Sequence, residues 1–278
     1  MKYLITGGSG FLGRALIKHL YELGETDIRV VARNEGKLVL LKEEFPNIDI
    51  LPGSISDPFI CEKACNGVDG IFHLAAFKHV TLAEENVREC IDSNVLGTIN
   101  LLEQTRKTKP SFIIGISTDK AAKVKGVYAA TKYLQEALFS EYERVNKFTK
   151  YRTVRYGNVL YSTGSVLCKW KDRLTKGQKV IVTDMDSTRF YWTVEEAVAL
   201  IFSCLKDAKD SKPFVTSMKS IRTGDLLEAM IEKYAAEKPQ IEIIGLQSGE
   251  NMHEVITEDG QDSSMAERYT KEEILSVI

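Results

Sequence analysis

The sequence lacks most of the features that mark specialised proteins. Charge of one sign is missing: 37 Lys and Arg stand against 39 Asp and Glu, for a formal net charge of −2. That balance leaves no electrostatic footprint for nucleic acid or for an anionic membrane surface. No apolar run approaches the roughly 18 residues of a membrane-spanning helix. The opening MKYLITGGSGFLG enters a strand at once and is expected to carry no signal peptide. Cysteines are few and irregularly spaced: Cys61, Cys65, Cys90, Cys168 and Cys204 form an odd set. This excludes a disulfide framework and implies a reducing, cytoplasmic setting. Cys61 and Cys65 lie four apart, but burial as small hydrophobes explains them better than a metal. No other Cys or His spacing fits zinc, so no metal site is expected. Trp170 and Trp192 are the only tryptophans, and both read as core aromatics. Internal repeats, low-complexity tracts and Pro/Gly linkers are also absent.

What remains is an ordinary globular composition, 44% hydrophobic and 27% charged over 278 residues. That length buries a full core and accommodates one large domain or two modest ones. In the first half, apolar β-branched runs (2–6, 28–33, 48–53, 70–76, 111–118) alternate with helical periodicity (11–24, 37–45, 59–67, about 83–107). Uninterrupted apolar strands between helices predict parallel βαβ units, with helices on both faces of one sheet. Ligands of such sheets bind at the carboxyl ends of the strands. After a helix at about 127–146 and a strand at 153–159 the elements shorten. Helices are expected at 165–175, 194–205 and 223–235, and strands at 180–183, 213–217 and 241–245. The polar stretch 257–270 is expected to be mobile.

Gly8-Ser9-Gly10-Phe11-Leu12-Gly13 fits G-x-G-x-x-G between a strand and a helix. In that context the glycines allow a tight turn and a close approach of backbone to a pyrophosphate at the helix N-terminus. The plain alternative is a glycine-rich turn with no ligand. The predicted fold is α/β, a Rossmann-type doubly wound parallel sheet with a small C-terminal substrate-binding lobe. Residues 1–160 form the dinucleotide-binding domain, with contributions from about 184–217, and 161–278 form mainly the lobe. Where an NAD site would place Asp or Glu after the second strand, this chain has Arg33-Asn34, with Lys37 one turn on. Two cations suit a 2′-phosphate and favour NADP over NAD; the alternative is a solvated pair, with Glu35 serving the ribose of NAD.

Tyr128 and Lys132 stand at i and i+4 and share one helix face. A nearby ammonium favours the phenolate, which would make Tyr128 a general base. Alone this spacing is weak. It gains weight from Ser117-Thr118-Asp119-Lys120 at the end of the preceding strand.

Taken together, TGGSGFLG, HLAAFKHV, STDKA, YAATK and VRYGNV resemble the extended short-chain dehydrogenase/reductases. More narrowly, the pattern is similar to the UDP-N-acetylglucosamine 4,6-dehydratases of polysaccharide and flagellin-glycan biosynthesis. The likeness covers about residues 1–256, and its most specific element is Asp119-Lys120, nine residues before Tyr128. It implies that Tyr128 with Lys132 deprotonates the C4 hydroxyl of the sugar and that Thr118 bonds the C4 oxygen. Lys120, if neutral, takes the C5 proton, and Asp119, if protonated, protonates the departing C6 hydroxyl.

The same resemblance places the dinucleotide against Gly7, Ser9, Gly10, Phe11, Leu12 and Gly13, and against Arg33, Asn34, Lys37, Ile55 and Asp57. Leu74, Ala75, Ala76, Asn94, Tyr128, Lys132, Tyr156, Asn158 and Val159 complete that set. Lys78, Asn158, Ser165, Val166, Thr183, Arg189 and Glu250 would bind the UDP-sugar, with Arg189 on the diphosphate and Glu250 on the uridine ribose. Each has a plain alternative: Lys78 as a solvent-facing lysine, His79 beside it as a helix-start residue, Asn158 as a turn residue. Some positions depart from the family. Ser54 stands in place of an acid, Gln247-Ser248 in place of Arg-Pro, and Asn251 in place of a lysine. The chain also ends sooner after this motif than family members do.

The resemblance further implies a homo-oligomer, a dimer through the two long helices or a hexameric ring. A UDP-sugar 4-epimerase or a partial dehydratase stopping at a 5,6-ene is the competing enzyme reading. A non-catalytic NADP-binding regulator is the competing reading of another class.

Overall fold

The computed structural model describes residues 1–258, 260 and 262–278. Strands β1 (Tyr3–Thr6), β2 (Ile28–Ala32), β3 (Asp49–Pro52), β4 (Gly70–His73), β5 (Phe112–Thr118) and β6 (Lys150–Tyr156) form one sheet in the order β3-β2-β1-β4-β5-β6. Every pairing in it is parallel. β1 is buried along its whole length, which is why its sequence is apolar without alternation. Helices α1 (Phe11–Glu22) and α2 (Glu35–Glu44) cover one face, joined by α9 (Val194–Asp207). On the other face, α3 (Pro58–Cys65), α6 (Gly97–Thr108) and α7 (Gly126–Val145) pack Cys61, Cys65, Leu101, Leu102 and Phe139 on the sheet.

Local chemistry sets the helix starts. Asn34 accepts the Lys37 N–H at 2.9 Å, so α2 begins two residues before its expected start. Asp57 accepts the Phe59 N–H ahead of Pro58, and Thr193 with Glu196 forms a capping box on α9.

The long helix expected over 83–107 is broken. It comprises α4 (Val80–Glu85), α5 (Val87–Ile91), a π-turn at Asp92–Leu96 and then α6. Asn86 interrupts it with a non-helical backbone, and the π-turn turns Asn94 inward, where it is wholly buried.

A third core joins α8 (Val166–Thr175), β8 (Val180–Val182), α10 (Thr223–Tyr234) and α11 (Lys271–Val277) around Trp170, Leu226, Met230 and Ile274. β8 pairs in parallel with β11 (Ile241–Ile243). β7 (Asn158–Val159), β9 (Thr188–Trp192) and β10 (Ser220–Arg222) form a second small sheet. The strand expected at 213–217 reduces to one bridge, Phe214 with Val154; Pro213 cannot donate to a ladder. Instead, β9, β10 and α11 form from segments too short to show a period. In the stretch 257–270, expected to be mobile, Ser263 is instead fully buried and its hydroxyl donates to the Thr188 carbonyl at 2.9 Å. Asp259 and Gln261 lie outside the described residues.

Candidate functional site

The sheet order reverses between β1 and β4, which opens a crevice at their carboxyl ends. Gly7 closes β1 with a φ of 72°. A side chain there would stand 2.8 Å from the Ala75 nitrogen, so backbone meets backbone across the crevice. At Gly13 a Cβ would lie 2.5 Å from the Gly8 Cα; this glycine lets α1 press on β1. The N-terminus of α1 has no side-chain cap and no acidic residue in its first turn. Its free N–H groups face the loop of Ser9, Gly10, Phe11 and Leu12, a ready site for a pyrophosphate. Arg33 and Lys37 are exposed, and neither forms an ion pair among the described residues. The Asn34 side chain is occupied by its cap. These residues fit a nicotinamide dinucleotide.

Other expected cofactor contacts serve the frame. Ile55 is buried, and its carbonyl accepts from Asn100 and Cys61. Asp57 caps α3, and Ser54 bonds within its own loop to Ser56. Asn94 accepts the Phe77 N–H at 2.7 Å and donates to the Phe77 carbonyl and to Thr131 at 3.0 Å. It therefore ties the loop that follows β4, with Leu74, Ala75 and Ala76, to α7. Beneath them His73 bridges Thr6 and Thr98, and burial pushes its pKa down to about 3.

Tyr128 sits in the first turn of α7. The Glu84 carboxylate holds that turn by accepting the Val127 N–H at 2.6 Å. Burial pushes the Tyr128 phenol up to about 12, while Lys120 and a hydrogen bond with Thr118 pull it down. The expected Lys132–phenol pairing is not made. Lys132 Nζ donates to Gln135 Oε1 at 2.6 Å, one turn further on, and burial pushes its pKa down to about 8. The cation that acts on the phenol is Lys120.

Lys120 lies in a 3-10 turn directly after β5. Its ammonium stands 3.0 Å from Asp119 Oδ1 and 3.1 Å from Glu254 Oε1. Burial disfavours the charge, but the two carboxylates outweigh it and hold the Lys120 pKa above the usual lysine value. The neutral lysine expected from the sequence is thus corrected for this state: the expectation counted neighbouring cations, and the fold supplies two anions. Asp119 is 1% exposed and its Oδ2 has no hydrogen-bond partner among the described residues. Burial raises its carboxyl pKa, against the pull of Lys120. Burial also opposes ionisation of Glu254, yet Lys120 and Arg189 win and its pKa is lowered.

Sequence reasoning assigned no role to Glu254. The residue ends the run Gly249-Glu250-Asn251-Met252-His253-Glu254, but 134 positions separate it from Lys120, and no local pattern reports such a pairing. Arg155 and Glu136 were also missed. They form a buried two-pronged ion pair behind β5, with Ser117 donating to the same carboxylate.

The expected substrate residues ring this cluster. Arg189 lies 3.8 Å from Glu254 and donates to the carbonyls of Thr188 and Met252. Asn158 bonds the buried Tyr191 hydroxyl, beside Tyr156 and Val159. Lys78 Nζ donates to the Thr163 carbonyl at 3.0 Å, which brings the end of β4 to Ser165 and Val166 at the start of α8. Burial lowers the Lys78 pKa. Glu250 accepts the Gln247 N–H at 3.0 Å, and its carbonyl accepts from Lys125. Thr183, just past β8, is half-buried.

A buried acid and a largely buried lysine beside a half-buried tyrosine, at the mouth of a dinucleotide-type crevice, match the site of the extended short-chain dehydrogenase/reductases. The model of the family described as polysaccharide biosynthesis protein matches residues 3–276, and the chain belongs to that family. An uncharacterized membrane protein of Methanocaldococcus jannaschii is 38% identical over 90% of this chain and 78% of its own length. The inverting UDP-N-acetylglucosamine 4,6-dehydratase of Campylobacter jejuni is 32% identical over 91% of this chain and 76% of its own. The crystal structure of Pen from Bacillus thuringiensis superposes with a TM-score of 0.90 at 32% identity, covering 99% of this chain and 96% of that one. Among the described residues no helix is long and apolar enough to cross a membrane.

Proposed function

We propose that the protein is a UDP-N-acetylglucosamine 4,6-dehydratase that uses NADP in the cytoplasm. The observation that carries this reading is the buried Asp119–Lys120 pair at the end of β5, set beside Tyr128. A 4-epimerase needs a base for one hydroxyl; elimination needs a second acid and a second base, and this pair supplies them.

When bound, the nicotinamide would supply the acceptor, and later the donor, of a hydride. The protein does the rest. Tyr128, hydrogen-bonded to Thr118, takes the proton of the C4 hydroxyl. The resulting ketone acidifies the C5 proton. Lys120 and Asp119 stand 3.0 Å apart, so one proton moving from ammonium to carboxylate makes a neutral amine and a carboxylic acid. The amine then removes the C5 proton, the acid protonates the C6 hydroxyl, and one water leaves. Arg189 and Lys78 hold the diphosphate, and Glu250 the ribose. Arg33 and Lys37 favour NADP because nothing else among the described residues neutralises them. Exposed Leu82, Val87, Ile91, Leu96 and Leu134 along α4–α7 support a homo-oligomer paired through these helices.

The test is incubation of the purified protein with NADP and UDP-N-acetylglucosamine in D₂O, followed by NMR and mass spectrometry. Loss of one water with deuterium at C5 is expected. A product inverted only at C4 would establish the epimerase instead, and unchanged sugar would overturn both enzyme readings.

A further inference from the structure

We infer that Glu254 is a positioning residue of this site: through its contact with Lys120 it sets where the proton rests between Lys120 and Asp119. This rests on the dehydratase reading for its catalytic meaning, but the contact itself does not.

The geometry is specific. Glu254 is 1% exposed, and its Oε1 lies 3.1 Å from Lys120 Nζ, which also stands 3.0 Å from Asp119. Lys120 is thus held by two carboxylates, one from its own turn and one from a remote part of the chain. Glu254 is itself held firmly. Asn251 Nδ2 donates to its Oε2 at 3.1 Å, and its backbone N–H donates to Ser263 Oγ at 2.9 Å. Ser263 N–H returns a bond to the Glu254 carbonyl at 2.8 Å, and the Ser263 hydroxyl is anchored on Thr188. The stretch Asn251–Glu254, between α10 and α11, is therefore a strap that carries one carboxylate into the site.

The charges facing Lys120 come from every element around it: Asp119 on its own turn, Tyr128 on α7, Arg189 and Tyr191 on β9, and Glu254 on the strap. Two carboxylates against one guanidinium hold the proton on Lys120. Moving that proton to Asp119 makes the amine and the acid that elimination needs, with no proton gained or lost. The Glu254 charge opposes the move, and Arg189 at 3.8 Å moderates it. Glu254 thereby favours the ionised form of the Lys120–Asp119 pair.

The experiment is a titration of Lys120, followed by its ¹³Cε resonance in the purified protein, with no sugar present. Removing a carboxylate within ion-pair distance shifts a neighbouring lysine by about 1–3 pKa units. Glu254→Gln is expected to lower the Lys120 titration by that amount, and Glu254→Asp to restore most of it. Ser263→Ala, which loosens the strap but keeps the carboxylate, is expected to give a smaller shift in the same direction and serves if Glu254→Gln does not fold. Unchanged titration in a folded variant overturns the inference. In the turnover assay the alkaline limb of kcat against pH, where the pair loses its shared proton, is expected to move down with the titration. Loss of turnover at every pH, with the limb in place, would overturn the positioning role and leave Glu254 merely structural. A wild-type protein that leaves the sugar unchanged, while its Lys120 still responds to Glu254→Gln, would overturn the dehydratase reading alone.

Discussion

The two halves of the site are built from different material. The dinucleotide crevice is made of backbone: a positive-φ glycine packed against Ala75, an uncapped helix start, and glycines where a Cβ would collide. The reacting half is made of charged and phenolic side chains drawn from β5, α7, β9 and the strap. The first tolerates variation in side chains but not in backbone room. The second tolerates little change of charge, because Asp119, Lys120, Arg189 and Glu254 balance one another where water cannot screen them.

The comparison breaks most sharply at Tyr128. Tyr128→Phe removes the phenolic proton carrier and is expected to lower kcat by about 10²–10⁴-fold. Dinucleotide binding, measured by fluorescence quenching, should be retained, because that half does not depend on the hydroxyl. Comparable loss of binding would show that the halves are not separable. Gly13→Ala probes the other half. The added methyl meets the Gly8 backbone at 2.5 Å, and overpacking of this kind costs about 1–3 kcal/mol. Urea denaturation should show that loss together with weakened dinucleotide binding, while the Lys120 titration stays in place. The smallest effect is expected at the rim. Arg33→Asp replaces a cation with the acid that suits an unphosphorylated ribose, and should turn the NADP:NAD preference by about tenfold, equivalent to about 1.4 kcal/mol. An unchanged ratio would remove Arg33 from cofactor selection.

Most of the sheet could be read from the sequence because its signals are local. Apolar runs bounded by Gly and Asn marked β1 to β5, and the glycine loop announced both its strand and its helix. The helix starts at Asn34, Asp57 and Thr193 follow from side chains within three residues of the bonds they make. The misses share a cause. The π-turn carrying Asn94 depends on bonds to Phe77 and Thr131 across the fold, so the helical period ran straight through it. β9 and β10 exist only because each supplies the other with hydrogen bonds. The polarity of 257–270 read as mobility, whereas Ser263 is polar because it is buried against Thr188 and Glu254.

The site divides along the same line. The proposed catalytic residues Thr118, Asp119, Lys120, Tyr128 and Lys132 lie in two short motifs and so could be named from the sequence. Their charge states could not. The pairing of Tyr128 with Lys132 rested on their spacing along one helix, and a neutral Lys120 on the resemblance. The fold gives Lys132 to Gln135 and surrounds Lys120 with carboxylates.

By itself the sequence determined the parallel sheet, the glycine loop and which groups are candidates for the chemistry, because periodicity and short motifs act over a few residues. Tertiary structure alone decided the protonation of those groups. A pKa in a buried site depends on which charges lie within a few ångströms, and here one of them, Glu254, arrives from 134 residues away.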